Sequence, residues 1–214
     1  MKICLVNGSP KKKGSASGWF IGELQKRLPE QAETAVLESA SYTGEPFLEQ
    51  LCACDALVFV FPLYVDAVPS HLLHILTELE RAAAGREQKP VVYTVVNCGF
   101  FESKQNRYAL DVMRHFCRHA GFPWGEGVAI GGGAFLGQSV GIPLEASPKK
   151  SLRAAFTAFA ASIAQGKTGG EDRYVEPNMP RFLYFHAANY GWKRQGKQNG
   201  LKGKALYRGW EREK

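Results

Sequence analysis

Ser9, Ser15 and Ser17 are hydroxyl-bearing residues of one short polar loop, Asn7-Gly8-Ser9-Pro10-Lys11-Lys12-Lys13-Gly14-Ser15-Ala16-Ser17. The loop follows the apolar run Ile3-Cys4-Leu5-Val6 and precedes Gly18-Trp19-Phe20-Ile21-Gly22-Glu23-Leu24, which reads as the start of a helix. This order favours the binding of a phosphate. Serine hydroxyls donate hydrogen bonds without blocking an anion's approach. The first helical turn, around Ala16 and Ser17, adds N–H groups that have no partner inside the helix and sit at its positive end. Gly14 leaves the backbone accessible, and one of the three lysines, with Lys11 as the candidate, is expected to reach the anion. No Gly-Lys-Ser/Thr closes the loop, so it is not a P-loop, nor is it the Gly-x-Gly-x-x-Gly dinucleotide fingerprint. The alternative is an ordinary β–α turn made of turn formers.

Two further loops carry side chains suited to a planar ligand. Pro62-Leu63-Tyr64-Val65-Asp66-Ala67-Val68-Pro69-Ser70 follows an apolar strand. Pro62 stops that strand, Pro69 suits the first turn of a helix, and an apolar stretch with one aromatic, Tyr64, is left between them. Asp66 is expected to cap the helix that follows. Asn97-Cys98-Gly99-Phe100-Phe101-Glu102-Ser103 follows another strand. Asn97 offers amide donors and an acceptor to a heteroaromatic edge, Gly99 permits close backbone approach, and Cys98 is read as a pocket residue.

The elements that must position these loops alternate along the chain. Strands are expected over 2–6, 33–37, 56–61, 90–96 and 127–131, and helices over 15–28, 47–54, 69–84, 103–120 and 148–165. Leu57-Val58-Phe59-Val60-Phe61 and Val91-Val92-Tyr93-Thr94-Val95-Val96 are almost continuously apolar, as strands covered on both faces are. The expected architecture is α/β, a doubly wound five-stranded parallel sheet. The loops after strands 1, 3 and 4 should then converge on one crevice at the carboxyl ends of the strands.

The three loops in order, Asn-Gly-Ser-Pro-x-x-x-Gly-Ser-x-Ser at 7–17, Pro-Leu-Tyr-Val-Asp at 62–66 and Asn-Cys-Gly-Phe at 97–100, resemble the flavodoxin-like NAD(P)H-dependent oxidoreductases of the FMN-reductase type. The resemblance covers roughly residues 1–165. It implies that residues 9–17 hold the FMN phosphate, that Pro62, Leu63, Tyr64 and Val65 line the isoalloxazine, and that Asn97, Cys98, Gly99 and Phe100 flank its other side. It also implies hydride transfer from NAD(P)H to the flavin and onward to a small-molecule electron acceptor such as a quinone, nitro or azo compound, flavin or metal ion. The flavin carries such chemistry, so no catalytic residue is assigned. The chain lacks the Thr-rich phosphate loop and acidic body of electron-carrier flavodoxins, and the compact cysteine cluster of iron–sulfur relatives. A non-enzymatic FMN carrier and a flavin-free interaction module are the competing readings.

Charge divides the chain. Residues 1–177 carry 18 Lys/Arg and 18 Asp/Glu, whereas residues 178–214 carry 9 and 2, which accounts for the whole net charge of +7. The resemblance implies a flavodoxin-like FMN-binding domain over 1–170, and a basic, aromatic-rich extension over 171–214 is expected beyond it. In the extension, a helix from Pro180 to about Gly191 precedes Lys193, Arg194, Lys197, Lys202, Lys204 and Arg208, interleaved with Leu201, Leu206, Tyr207 and Trp210. The extension is expected to pack on the domain or on a dimer partner, and nucleic acid is not the expected partner. A homodimer is expected, because Tyr64, Phe100, Phe101 and the Gly-rich 131–146 segment together would expose a large apolar area. That segment is read as a lid or an interface element. No run reaches the ~20 apolar residues of a membrane span. Five cysteines without framework spacing favour a reduced, cytoplasmic protein. The pairs His71/His74 and His115/His119 have helical spacing but no obvious third ligand, so no metal is expected.

Overall fold

The computed structural model describes residues 1–207 except Lys12, Val140 and Lys202, with the backbone alone for Gln138 and Lys204. Lys12, Lys202, Arg208 and Trp210, named above, lie outside the described residues. Contacts divide the chain into Met1–Asn178 and Met179–Lys214.

The first unit alternates strands and helices: β1 (Lys2–Asn7), α1 (Ala16–Gln25), β2 (Glu33–Glu38), α2 (Glu45–Cys52), β3 (Ala56–Pro62), α3 (Ser70–Ala82), β4 (Val91–Asn97), α4 (Arg107–Ala120), β5 (Trp124–Ile130), α5 (Gly133–Gln138), α6 (Lys150–Ala164) and β6 (Arg173–Val175). All strand pairs are parallel, in the order β2-β1-β3-β4-β5-β6. The first five strands have the flavodoxin-like order, in which the direction of winding reverses between β1 and β3.

The apolar runs fold this way because β1, β3 and β4 are buried on both faces. Cys4, Val6, Leu57, Phe59 and Phe61 point to one face, against Leu51 of α2, Leu72, Ile75 and Leu79 of α3, and Leu110 and Met113 of α4. Ile3, Leu5, Val58 and Val60 point to the other, against Phe20 and Leu24 of α1 and Phe156, Phe159 and Ile163 of α6. The period-2 alternation of side chains thus feeds two cores from one continuous apolar run.

The sheet has six strands, not five. β6 is only Arg173–Val175, paired with β5 through Val128 to Ile130. Three residues, two of them Arg and Tyr, carry no readable period. β6 lies beyond residue 170, within the stretch read from sequence as extension. The glycine-rich segment after β5 is not all loop, since it forms α5.

The second unit contains α7 (Arg181–Gln198) and a 3₁₀ turn (Gly203–Tyr207). α7 does not stop near Gly191. Glycine inside an exposed helix costs only about 1 kcal/mol, and the helix ends instead at Gly200, whose φ is +80°. Among the described residues no helix is long and apolar enough to cross a membrane.

Candidate functional site

The reversal between β1 and β3 opens a cleft of about 240 Å3 lined by Ser9, Lys11, Gly14, Ser15, Ala16 and Ser17 on one side. Pro62, Leu63 and Tyr64, then Asn97, Cys98 and Gly99, and finally Ala134 and Gly137 complete its walls. The three loops therefore meet, as the strand order requires, at the carboxyl ends of β1, β3 and β4.

The end of the cleft formed by residues 9–17 is built by local hydrogen bonds. Asn7 Oδ1 accepts from the Ser9 N–H at 3.1 Å, and Ser9 Oγ accepts from the Lys11 N–H at 3.2 Å, which folds the loop back on the end of β1. Ser15 is the N-cap of α1, its Oγ accepting from the Gly18 N–H at 3.0 Å. This leaves Ala16 and Ser17 in the first turn, where a helix cannot pair N–H groups internally. The donor set is hydroxyls, peptide N–H groups and the Lys11 ammonium at a positive helix end. It fits a phosphate monoester such as that of FMN.

Asn97 is placed differently from expectation. It is buried, and its Nδ2 donates to the Phe61 carbonyl at 3.0 Å and to Ser17 Oγ at 3.2 Å. Its amide nitrogen ties β3 and β4 to the first turn of α1, while the residue still lines the cleft. The Cys98 thiol is held near the Phe100 and Glu102 carbonyls, while Asn106 Nδ2 lies 3.4 Å from the sulfur. Burial pushes the Cys98 thiol up, with the neighbouring hydrogen bonds opposing, which suits a packed thiol rather than a nucleophile.

Val65 and Phe100 do not line the cleft. Tyr64 and Ala67 exchange backbone hydrogen bonds at 3.2 and 3.0 Å around Val65 and Asp66, whose φ values are 49° and 56°. Two positive φ angles in a two-residue turn define a type I′ hairpin. A β-branched residue there is a genuine conformational outlier, and this one is 98% exposed. Asp66 consequently does not cap α3, whose N-cap is Pro69 with no side-chain bond. Phe100 is half exposed, and its carbonyl accepts from the Gly132 N–H at 2.5 Å.

The fourth wall escaped the sequence reading. The Gly133 N–H donates to the Cys98 carbonyl at 2.7 Å. A Cβ on Gly131 would overlap the Phe101 carbonyl, and one on Gly133 would stand 2.7 Å from Asn97 Cβ. Glycine is needed because the turn after β5 lies directly on the turn after β4. α5 then packs against α1, where a Cβ on Gly137 would approach Ala16 Cβ to 2.8 Å. Lys149 fastens the segment after α5. It is fully buried, with Nζ donating to the Ser139 carbonyl at 2.7 Å and lying 4.2 Å from the centre of the Trp19 ring on α1. Desolvation lowers its ammonium pKa, partly opposed by Glu23.

A larger groove of about 870 Å3 between α3 and α4 is lined by Leu73, Leu76, Val112 and Phe116 together with His115 and His119. Thr77, Glu80 and Arg118 complete its lining. His119 pairs with Glu80 at 2.8 Å, and His71 bonds Ser39 at 3.0 Å. Among the described residues no three His, Cys, Asp or Glu side chains cluster as metal ligands would.

No protein-family profile and no curated protein matches this sequence. Solved structures do match in three dimensions. The apo form of the NADH:FMN oxidoreductase EMOB aligns with a TM-score of 0.57 at 14% identity, over 79% of this chain and 91% of that one. The NAD(P)H:quinone oxidoreductase from Methanothermobacter marburgensis aligns at 0.54 and 16%, over 77% and 96%. An FMN-dependent NADH-azoreductase from Bacillus anthracis, in complex with FMN, aligns at 0.52 and 11%, over 77% and 100%. At these identities the likeness establishes a shared flavodoxin-like fold.

Proposed function

We propose that this chain is an FMN-dependent oxidoreductase that takes hydride from NAD(P)H and passes electrons to a small acceptor. One observation carries the reading: the anion cradle of Ser9, Ser15 and Ser17 shares a single cleft with the apolar wall of Pro62, Leu63 and Tyr64 and the backbone of Cys98 and Gly99. A phosphate at one end and a planar apolar ring at the other is the shape of FMN. The three similar structures act with FMN, NAD(P)H or both by their own descriptions, which supports the same pairing here.

When bound, FMN would supply the hydride-accepting and electron-donating chemistry. The protein's part is to hold and orient it. Ser9, Ser15, Ser17 and Lys11 bind the phosphate, Asn97 fixes Ser17 in register with β3, and Pro62, Leu63 and Tyr64 keep water from one edge of the ring. The cleft is smaller than the ~300 Å3 at which ligand pockets usually begin, so a flavin seated by its phosphate would leave part of its ring open to nicotinamide and acceptor. That open edge suits a quinone, nitro or azo compound, free flavin or metal ion. A second copy of the chain, in a homodimer acting in the cytoplasm, would cover Tyr64, Val65 and Phe100 at the mouth.

The test is the visible spectrum of the purified protein under anaerobic addition of NADH and, separately, NADPH. A yellow protein bleached by either nicotinamide is the expected result. A yellow protein bleached by neither would be an electron carrier, and a colourless one that takes up no FMN would remove the flavin reading.

A further inference from the structure

The second unit contains a built cleft that shares no lining residue with the first. α7 ends in a Schellman turn: the Gly200 N–H donates to the Lys197 carbonyl at 3.1 Å and the Leu201 N–H to the Gly196 carbonyl at 2.9 Å. The turn sends residues 203–207 back along the helix. Gly196 admits them, because a Cβ there would overlap Leu206 Cδ2. The Tyr207 ring comes to rest 5.6 Å from that of Trp192. Helix and returning turn enclose about 660 Å3, lined by Tyr190, Lys193, Arg194, Lys197, Leu206 and Tyr207, with Gly203 at the edge.

Tyr190, Lys193, Arg194 and Lys197 stand at i, i+3, i+4 and i+7, on one face of α7. No Asp or Glu occurs between Glu176 and Glu211 in the sequence. Like charges on adjacent turns repel, and an anion between them removes that cost. Tyr190 and Tyr207 are 71% and 69% exposed, so their rings are open to stacking. Clustered cations beside exposed aromatic rings over an apolar floor match a ligand that joins a phosphate to a planar base.

We propose that this cleft binds a nucleotide unit, its phosphate on Lys193, Arg194 and Lys197 and its base against Tyr190 and Tyr207. The unit can come from a free nucleotide or from a single-stranded nucleic acid, since the shared chemistry is the same. An anionic lipid surface would also meet the cations, but it would use the tyrosines as apolar area and not as stacked rings.

The experiment uses the full chain saturated with FMN, a fluorescent ADP analogue, and a labelled eight-nucleotide oligothymidylate, read by anisotropy. The variants are Lys193→Gln/Arg194→Gln/Lys197→Gln together and Tyr190→Leu alone, each first matched to wild type by thermal melting. Wild-type strand binding should weaken with salt with a log–log slope of about −2 for three phosphate contacts on a single strand. The triple variant should bind at least tenfold more weakly with a flatter slope, and Tyr190→Leu several-fold more weakly with the slope kept. Binding of the ADP analogue with these dependences identifies a free nucleotide as the source, and binding of the strand alone identifies nucleic acid. The proposal is overturned if neither probe binds at low salt or if the triple variant binds as wild type does. It is equally overturned if Tyr190→Leu changes nothing while heparin or phosphatidylglycerol vesicles bind as tightly as the strand.

Discussion

Asn97 Nδ2 lies 3.2 Å from Ser17 Oγ and 3.0 Å from the Phe61 carbonyl, so one buried amide joins the ends of β3 and β4 to the first turn of α1. Asn97→Ala leaves a buried carbonyl and a buried hydroxyl without their donor, at a cost of about 1–3 kcal/mol. Urea unfolding should show that loss, and bound flavin should fall with it because Ser17 is no longer held in register. Wild-type stability with lost flavin would instead give Asn97 a direct contact with the ligand.

Ser15 is both the cap of α1 and part of the cradle. Ser15→Asp keeps an acceptor at the N-cap, where Asp serves as well as Ser, but sets a carboxylate against the phosphate. The variant should melt like wild type and be isolated colourless. Stoichiometric FMN in that protein would place the anion elsewhere.

Val65 occupies the left-handed region with φ 49° at the tip of the type I′ hairpin. That conformation costs a non-glycine residue roughly 1–2 kcal/mol. Val65→Gly should therefore raise the melting temperature, by a few degrees for a chain of this size. A fall would mean that the exposed isopropyl group is covered in the native assembly, which sedimentation of the same sample would reveal as a change of oligomeric state.

Tyr64 lines the cleft while half exposed. Tyr64→Ala should leave melting nearly unchanged, shift the spectrum of bound flavin and lower turnover with NAD(P)H. Unaltered spectrum and kinetics would reduce Tyr64 to a residue of the hairpin.

Lys149 is fully buried, and desolvation lowers its ammonium pKa in the folded protein. Between that lowered value and the ordinary lysine pKa of about 10.4, the unfolded chain binds a proton that the folded one does not. Stability from this group therefore rises with pH through that window and is lowest below it. Lys149→Met abolishes the term, so the stability of wild type relative to the variant should climb as pH is raised from 7 towards 10. A pH-independent difference would show that the ammonium titrates normally in the fold.

The layered α/β fold is legible in the amino-acid order alone, because continuously apolar strands of β3 and β4 type can be buried only between two layers of helices. The same order also marked Ser9, Ser15 and Ser17, which line one cleft in the structure, since they lie within one strand–loop–helix passage and need no distant partner. What it could not contain is the outcome of long-range packing. β6 is three residues whose strand state exists only because β5 offers an open edge. Asn97 reads the same in sequence whether its amide meets a ligand or the Phe61 carbonyl, and only the approach of β3 and α1 decided for the latter. Asp66 was drawn away from the helix cap by a hairpin whose hydrogen bonds run between Tyr64 and Ala67. The fourth wall, Ala134 and Gly137, is set in place by the packing of Gly133, Gly137 and Lys149 against Asn97, Ala16 and Trp19, residues 36 to 130 positions away. Local propensity fixes which residues can make a turn or a cap, but the occupant of the space beside them is set by chain segments that only the folded sheet brings near.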